Sequence, residues 1–227
     1  MGLQNIIDIS DSIEINRRKL VGIQFTRNEL PRVTETPSYN PWRFTLTTPA
    51  RLRYNDARQI LESLDLLDRR TPEEVTFGNL GTWMMGYQGT LTLDQRNHIT
   101  FNSMVGNQLV LNVSGVTGAT STSVVLEQGD FLQVQGYPYP FTSTTRVLKG
   151  TGPTVVVTTH RPNIFRTQPT NGTYINFGNS VVFRLFCPNM PTYKLIPGGS
   201  KYLNGSLINN AYVQFSDNFV LHEWVAS

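Results

Sequence analysis

Over most of the chain, apolar and polar residues alternate with a period of two, the signature of strands with one face turned inward. In Ile6–Ile15 the isoleucines at 7, 9, 13 and 15 all fall on odd positions, interrupted by the polar Ser10–Ser12. That pattern predicts a strand, and Leu20–Phe25 (LVGIQF) predicts a second. Pro31–Pro41 (PRVTETPSYNP) predicts a turn-rich loop. Trp42, Phe44 and Leu46 then share one face of a further strand.

One segment breaks the alternation. In Tyr54–Arg70 (YNDARQILESLDLLDRR), Ala57, Ile60, Leu61, Leu64 and Leu67 recur at steps of three and four. This predicts a helix over 55–70 with one apolar stripe packed on a sheet. Asn55 suits its N-cap, while Asp56 and Arg69-Arg70 suit the two ends of its dipole. Pro72 stops it.

Past Gln95 the strands shorten: Gln108–Val113, Ser123–Leu126, Gly129–Gln135, Thr144–Leu148 and Thr154–Thr159. Five short strands in about 60 residues predict a small closed or half-closed barrel. Longer strands return at Thr173–Phe177, Val181–Phe186, Thr192–Ile196, Ala211–Phe215 and Phe219–Val225, with a turn at Asn171-Gly172. The expected plan is a mainly β chain. One β domain, residues 1–95 and 165–227, carries the helix and is interrupted by a small β-barrel at 96–164.

Composition narrows the class. The 227 residues are 39% hydrophobic and only 15% charged, too apolar for disorder and too sparsely charged for a helical bundle. A lone cysteine, Cys187, excludes an internal disulfide framework and a cysteine-built zinc site. No apolar run approaches the roughly 18 residues of a membrane span. The N-terminal MGLQNIIDISDSIEI mixes acidic with apolar residues and lacks a basic leader, so no signal peptide is expected. Net charge is +3, from 19 basic and 16 acidic residues. The one compact basic cluster is Arg17-Arg18-Lys19, which argues against nucleic-acid binding as the main task.

Candidate chemistry is sparse. His98, His160 and His222 lie far apart, without local metal-ligand spacing. Glu73-Glu74 follows a helix and a proline and reads as a solvated turn. Glu62, Asp65 and Asp68 step along the helix as an acidic ridge or a partner surface for basic loops. Cys187 reads as an inert buried thiol. No nucleophile elbow, phosphate-binding loop or dinucleotide fingerprint is present, so no catalytic residue, metal or cofactor is expected. The Tyr137-Pro-Tyr-Pro-Phe141 loop differs. Its prolines stiffen a segment whose Tyr137, Tyr139 and Phe141 are candidates for anchoring a partner or stacking on a sugar. The plainer alternative is a loop folded back onto its own barrel.

The segment NPWRFTLTTPARLRYNDARQILESLDLLDRR resembles the strand-then-helix core of bacteriophage distal tail proteins. Gly129–Val134 (GDFLQV) is similar to a strand of the small barrel in such tail proteins, and LKGTGPTVVVTTHRP to its closing part. VVFRLFCPNMPTYKL and AYVQFSDNFVLHEWV are similar to the strands that return to the first domain.

The resemblance implies a structural role in the virion, after assembly in the host cytoplasm. A β-sandwich-type domain would form a ring, usually a hexamer, at the distal end of the tail tube. An OB-like barrel would project from it as an attachment point for the hub, fibres or other baseplate proteins. DNA would meet the ring only in transit through its channel, and no membrane insertion is implied. Arg17, Arg18 and Lys19 would face that channel or meet acidic residues such as Glu62 and Asp65 on a neighbour, unless they form a solvated turn. The alternative function is a carbohydrate- or receptor-binding β module working through Tyr137, Tyr139 and Phe141.

Overall fold

A computed structural model describes residues 2–16, 21–25, 31–35, 41–65, 71–78, 85–165, 167–198 and 210–224. The helices are α1 (Gly2–Ile9), α2 (Tyr54–Asp65) and a short one at Leu93–Asn97. The first strands are β1 (Ser12–Asn16), β2 (Val21–Phe25), β3 (Pro31–Glu35), β4 (Arg43–Thr47), β5 (Leu52–Arg53) and β6 (Glu73–Val75). Next come β7 (Thr100–Val105), β8 (Gln108–Asn112), β9 (Val124–Leu126), β10 (Phe131–Val134), β11 (Phe141–Thr142) and β12 (Val147–Leu148). The last are β13 (Thr154–Thr158), β14 (Ile175–Phe177), β15 (Phe183–Phe186), β16 (Tyr193–Gly198), β17 (Asn210–Phe215) and β18 (Phe219–Glu223). The chain is mainly β, in several sheets, and among the described residues none of these closes into a barrel.

The chain divides into two compact units. The first comprises Met1–Asn16, Trp42–Val75 and Leu185–Trp224; the second comprises Arg17–Pro41, Thr76–Arg184 and Val225–Ser227.

In the first unit a five-stranded sheet runs in the order β1-β4-β18-β15-β6. Phe44 pairs with Leu221 and Ile15, and Leu46 with Phe219 and Ile13, so their side chains share one face. Phe44, Leu46, Phe219 and Leu221 are fully buried there, each worth roughly 1.5–3 kcal/mol of transfer free energy. Arg43, Thr45, Val220 and His222 occupy the opposite, partly open face. A second sheet, β16-β17-β5, carries α2, whose Ala57 and Leu61 bury against Val213. The expected helix is thus present, but it begins at Tyr54, so Asn55 lies in its first turn and not at its N-cap; residues 66–70 lie outside the described ones.

The N-terminal segment departs from expectation. Gly2–Ile9 is helical, and only Ser12–Asn16 is a strand. Gly2 is buried with the apolar Leu3, Ile6 and Ile7, the last three spaced at i, i+3 and i+4, and this face overrides the odd-position alternation. A Cβ on Gly2 would sit 3.1 Å from the Ser63 carbonyl oxygen, so glycine permits the close approach of α1 to α2. Pro31–Glu35 is also not a loop: it pairs antiparallel with β2 from Phe25↔Pro31 to Val21↔Glu35. Pro31 opens the strand, where a missing N–H is tolerated.

The second unit contains the sheets β13-β8-β7, β11-β10-β14 and β12-β9, and the hairpin β2-β3. Isolated bridges join Thr100 to Tyr174 and Ser143 to Thr159. Its long segment, Thr76–Arg184, is wider than the 96–164 marked out by strand length. The shared core gives the reason. Leu91, Ile175 and Phe177 bury in the same cluster as Leu109, Leu132 and Phe141.

Candidate functional site

In the first unit, the turn after β15 runs through Pro188 and Pro191 and is fixed at several points. The Cys187 thiol, buried, donates to the Asn189 carbonyl at 3.3 Å. Ser216 N–H donates to the Thr192 carbonyl at 2.8 Å, and their hydroxyls lie 3.0 Å apart. Beside this turn lies a groove of about 470 Å³, lined by Arg43, Pro188–Thr192, Ser216–Asn218, Val220 and His222. A second depression of about 300 Å³ shares Met190, Pro191 and Thr192 and adds Leu64, Tyr193, Phe215 and Phe219.

The lining of the groove mixes charged, polar and apolar side chains. Arg43 and His222 are register partners across β4 and β18. Burial, and then the Arg43 guanidinium, hold the His222 imidazole below its usual range, which favours the neutral ring. Phe186 pairs with His222 in register, with ring centroids 5.8 Å apart, and Trp224 meets Phe186 edge-on at 5.3 Å. The groove brings together the Arg43 guanidinium, the His222 imidazole, Asp217 and two prolines.

In the second unit, the tyrosine–proline loop folds against its own core. Phe141 is 0% exposed, so it cannot touch a partner. Tyr137 and Tyr139 are half-buried. Phe165 gathers them, with centroid distances of 5.2 Å to Tyr137, 6.4 Å to Tyr139 and 5.7 Å to Phe141. The loop therefore presents the outer parts of two tyrosines, not three free rings. Beside it, the buried Arg161 donates to the Pro140 carbonyl at 2.6 Å and lies 5.2 Å from the Phe141 ring centre.

The GDFLQV segment holds a buried carboxylate that serves the backbone. Asp130 Oδ1 accepts from Gln88 N–H and Oδ2 from Glu127 N–H, each at 2.9 Å. Burial raises its pKa above 3.8, while the N–H donors of Glu127, Gln88 and Gly89 oppose that rise. Tyr87 donates to the Val125 carbonyl at 2.8 Å, and burial pushes its phenol up to about 12. The Arg96 guanidinium sits 4.3 Å from the Tyr87 ring centre. These groups clamp the segment before β7 onto β9 and β10.

Arg17, Arg18 and Lys19 lie outside the described residues. Glu62 is exposed on α2, and Asp65 ends that helix, its side chain outside the description. Glu73, expected in a solvated turn, instead lies in β6 and accepts from the first N–H groups of α1. Among the described residues no group of three or more His, Cys, Asp or Glu could hold a metal ion. No helix among them is long and apolar enough to cross a membrane. No protein-family model matches the chain, and no curated protein matches its sequence.

Proposed function

We propose that the chain is a structural subunit of a bacteriophage tail tip or baseplate, without catalytic activity. It forms a ring, most simply a hexamer, at the distal end of the tail tube and serves there as an attachment hub. Its partners in this reading are copies of itself, the tail tube protein, the hub and fibre or other baseplate proteins, with DNA passing through the channel. The virion is its final location.

The observation that carries this reading is the interruption of one compact unit by another. Thr76–Arg184 enters the first unit between Val75 and Leu185, and each unit has its own buried cluster. Of the resembling segments, β4, β5 and α2 fall in the first unit and the GDFLQV strand, β10, in the second, while VVFRLFCPNMPTYKL straddles the boundary at Leu185. In the same reading the first unit is the sandwich-type ring former and the second an OB-like barrel. Support for the barrel comes from the two isolated bridges. Each is a single bridge between two otherwise separate three-stranded sheets: Thr100 of β7 to Tyr174, next to β14, and Ser143, next to β11, to Thr159, next to β13.

Heterologous contacts close into rings only for a fixed rotation. Negative-stain imaging of the purified chain should therefore show rings of one diameter. Replacing Arg17, Arg18 and Lys19 with serine should weaken assembly at low salt and matter less at high salt, where ionic contacts are screened. Assembly that is unchanged at both salts removes these residues from the ring contact.

A further inference from the structure

Four segments of the second unit, Thr100–Val105, Gln108–Asn112, Thr154–Thr158 and Thr170–Tyr174, contain no Asp, Glu, Lys, Arg or His. They lie side by side. Thr154 pairs with Asn112, Asn112 with Thr100, and Thr100 with Tyr174. Directly paired residues share a face, so these four form one row across the sheet. Phe101, Leu111, Val155 and Ile175 are buried on the other side, which turns the row outward. Tyr174 is 57% exposed there.

The amides of this row are ordered by one another. Asn102, the extra residue of the β-bulge between Phe101 and Ser103, donates its Nδ2 to Asn112 Oδ1 at 2.8 Å. Asn112 Nδ2 donates to Asn171 Oδ1 at 3.1 Å and to Thr100 Oγ1 at 3.2 Å. The turn carrying Asn171 is docked on β7, with Gly172 N–H donating to the Phe101 carbonyl and Phe101 N–H to that of Thr173. Gly172 has φ +92, a conformation glycine supplies without strain. An amide has one acceptor oxygen and one donor nitrogen. Using Asn102 Nδ2 and Asn171 Oδ1 inward leaves Asn102 Oδ1 as an outward acceptor and Asn171 Nδ2 as an outward donor.

We propose that this row is a binding patch for a neutral oligosaccharide. Tyr174 supplies the flat ring on which the C–H face of a sugar packs. Asn171 Nδ2 and Asn102 Oδ1 supply the donor and acceptor for its hydroxyls. Tyr174 and Asn112 are two strand spacings apart, about 10 Å, so the patch accommodates more than one sugar unit. The four segments carry no charge of their own, with the exposed His98 two residues before Thr100 the nearest titratable group along β7, so the row offers no lysine or arginine to the phosphates of a nucleic acid or the carboxylates of an acidic glycan. The patch is separate from the Tyr137–Phe141 loop and does not rest on the ring-forming role. A monomer could carry it.

The test is a titration of the full chain, followed by NMR, with neutral hexasaccharides built from glucose, galactose or mannose, and with a uronic-acid hexasaccharide as control. At least one neutral sugar should bind with millimolar affinity or better, and the uronate more weakly. Tyr174→Ala should weaken binding about tenfold, near 1.4 kcal/mol. Asn171→Ala should weaken it severalfold, and Tyr174→Phe and Tyr137→Ala should leave it unchanged. Tyr174 is half-open, so the variant should keep the wild-type circular dichroism. No binding by any neutral sugar overturns the proposal, as does stronger binding of the uronate or unaltered binding in a folded Tyr174→Ala chain. A change of oligomeric state in Tyr174→Ala, without any saccharide binding in the wild type, would identify the face as a protein contact instead and overturn it too.

Discussion

Leu3 and Glu73 are 70 residues apart, yet Leu3 N–H donates to Glu73 Oε2 at 3.0 Å. The other carboxylate oxygen accepts from Gly2 N–H at 3.2 Å. A side chain from β6 thus satisfies two of the free donors at the start of α1, with its negative charge at the favourable end of the helix dipole. Glu73→Ala should cost about 1 kcal/mol of stability. Urea unfolding of the wild type and variant at neutral pH measures this, and an unchanged midpoint would show that α1 does not depend on the cap.

Asp130 performs a similar task inside the second unit. Both of its oxygens accept backbone N–H groups, and its residue is only 3% exposed. Asp130→Ala leaves two donors without acceptors and should destabilise the chain by roughly 2–4 kcal/mol. Thermal unfolding followed by circular dichroism reads the loss. The wild-type carboxyl also has a pH signature. Its folded pKa lies above the unfolded 3.8, so its stabilising share is complete below about 3.8 and is lost as pH rises through the folded value.

His222 has the opposite sign for a base. Its folded pKa lies below 6.5, so between the two values the unfolded chain holds more protons than the folded one. Stability should therefore fall as pH drops from about 7.5 through 6.5 towards the folded value. His222→Gln should flatten that part of the curve while leaving stability at about pH 7.5 nearly unchanged. An equal acid-side slope in both proteins would assign the effect to other groups.

Phe141 and Tyr137 test whether the aromatic loop is core or contact surface. Phe141→Ala removes a fully buried ring and should cost about 3–5 kcal/mol. Tyr137→Ala removes a half-buried ring that meets Phe165 edge-on, and should cost roughly 1 kcal/mol. Comparable losses from both would mean that the tyrosine is as deeply committed to the core as the phenylalanine.

Much of the strand plan was legible because each strand has one buried face. Phe219, Leu221 and Glu223 alternate with Val220 and His222 as the period-two rule requires. The helix at Tyr54 was legible from Ala57 and Leu61. The helix at Gly2 was not, because Ile7 and Ile9 satisfy a strand period while Leu3, Ile6 and Ile7 satisfy a helical one. Only the packed structure decides between them. The short helix Leu93–Asn97 did carry a local sign: Thr92 and Gln95 form a reciprocal capping box, and this pair stands in the sequence as T-x-x-Q. Glu73 read as a solvated turn because its partners sit at the far end of the sequence. The amide row was illegible for the same reason. Asn102, Asn112 and Asn171 are unremarkable alone, and only the turn at Asn171-Gly172 announced itself.

The central claim is closed self-assembly, and light scattering of the purified full chain over a range of concentrations tests it most directly. The account predicts one discrete species whose mass is an integral multiple of 25.6 kDa, about six chains, persisting on dilution. A 25.6 kDa monomer at every concentration up to about 100 μM would contradict it.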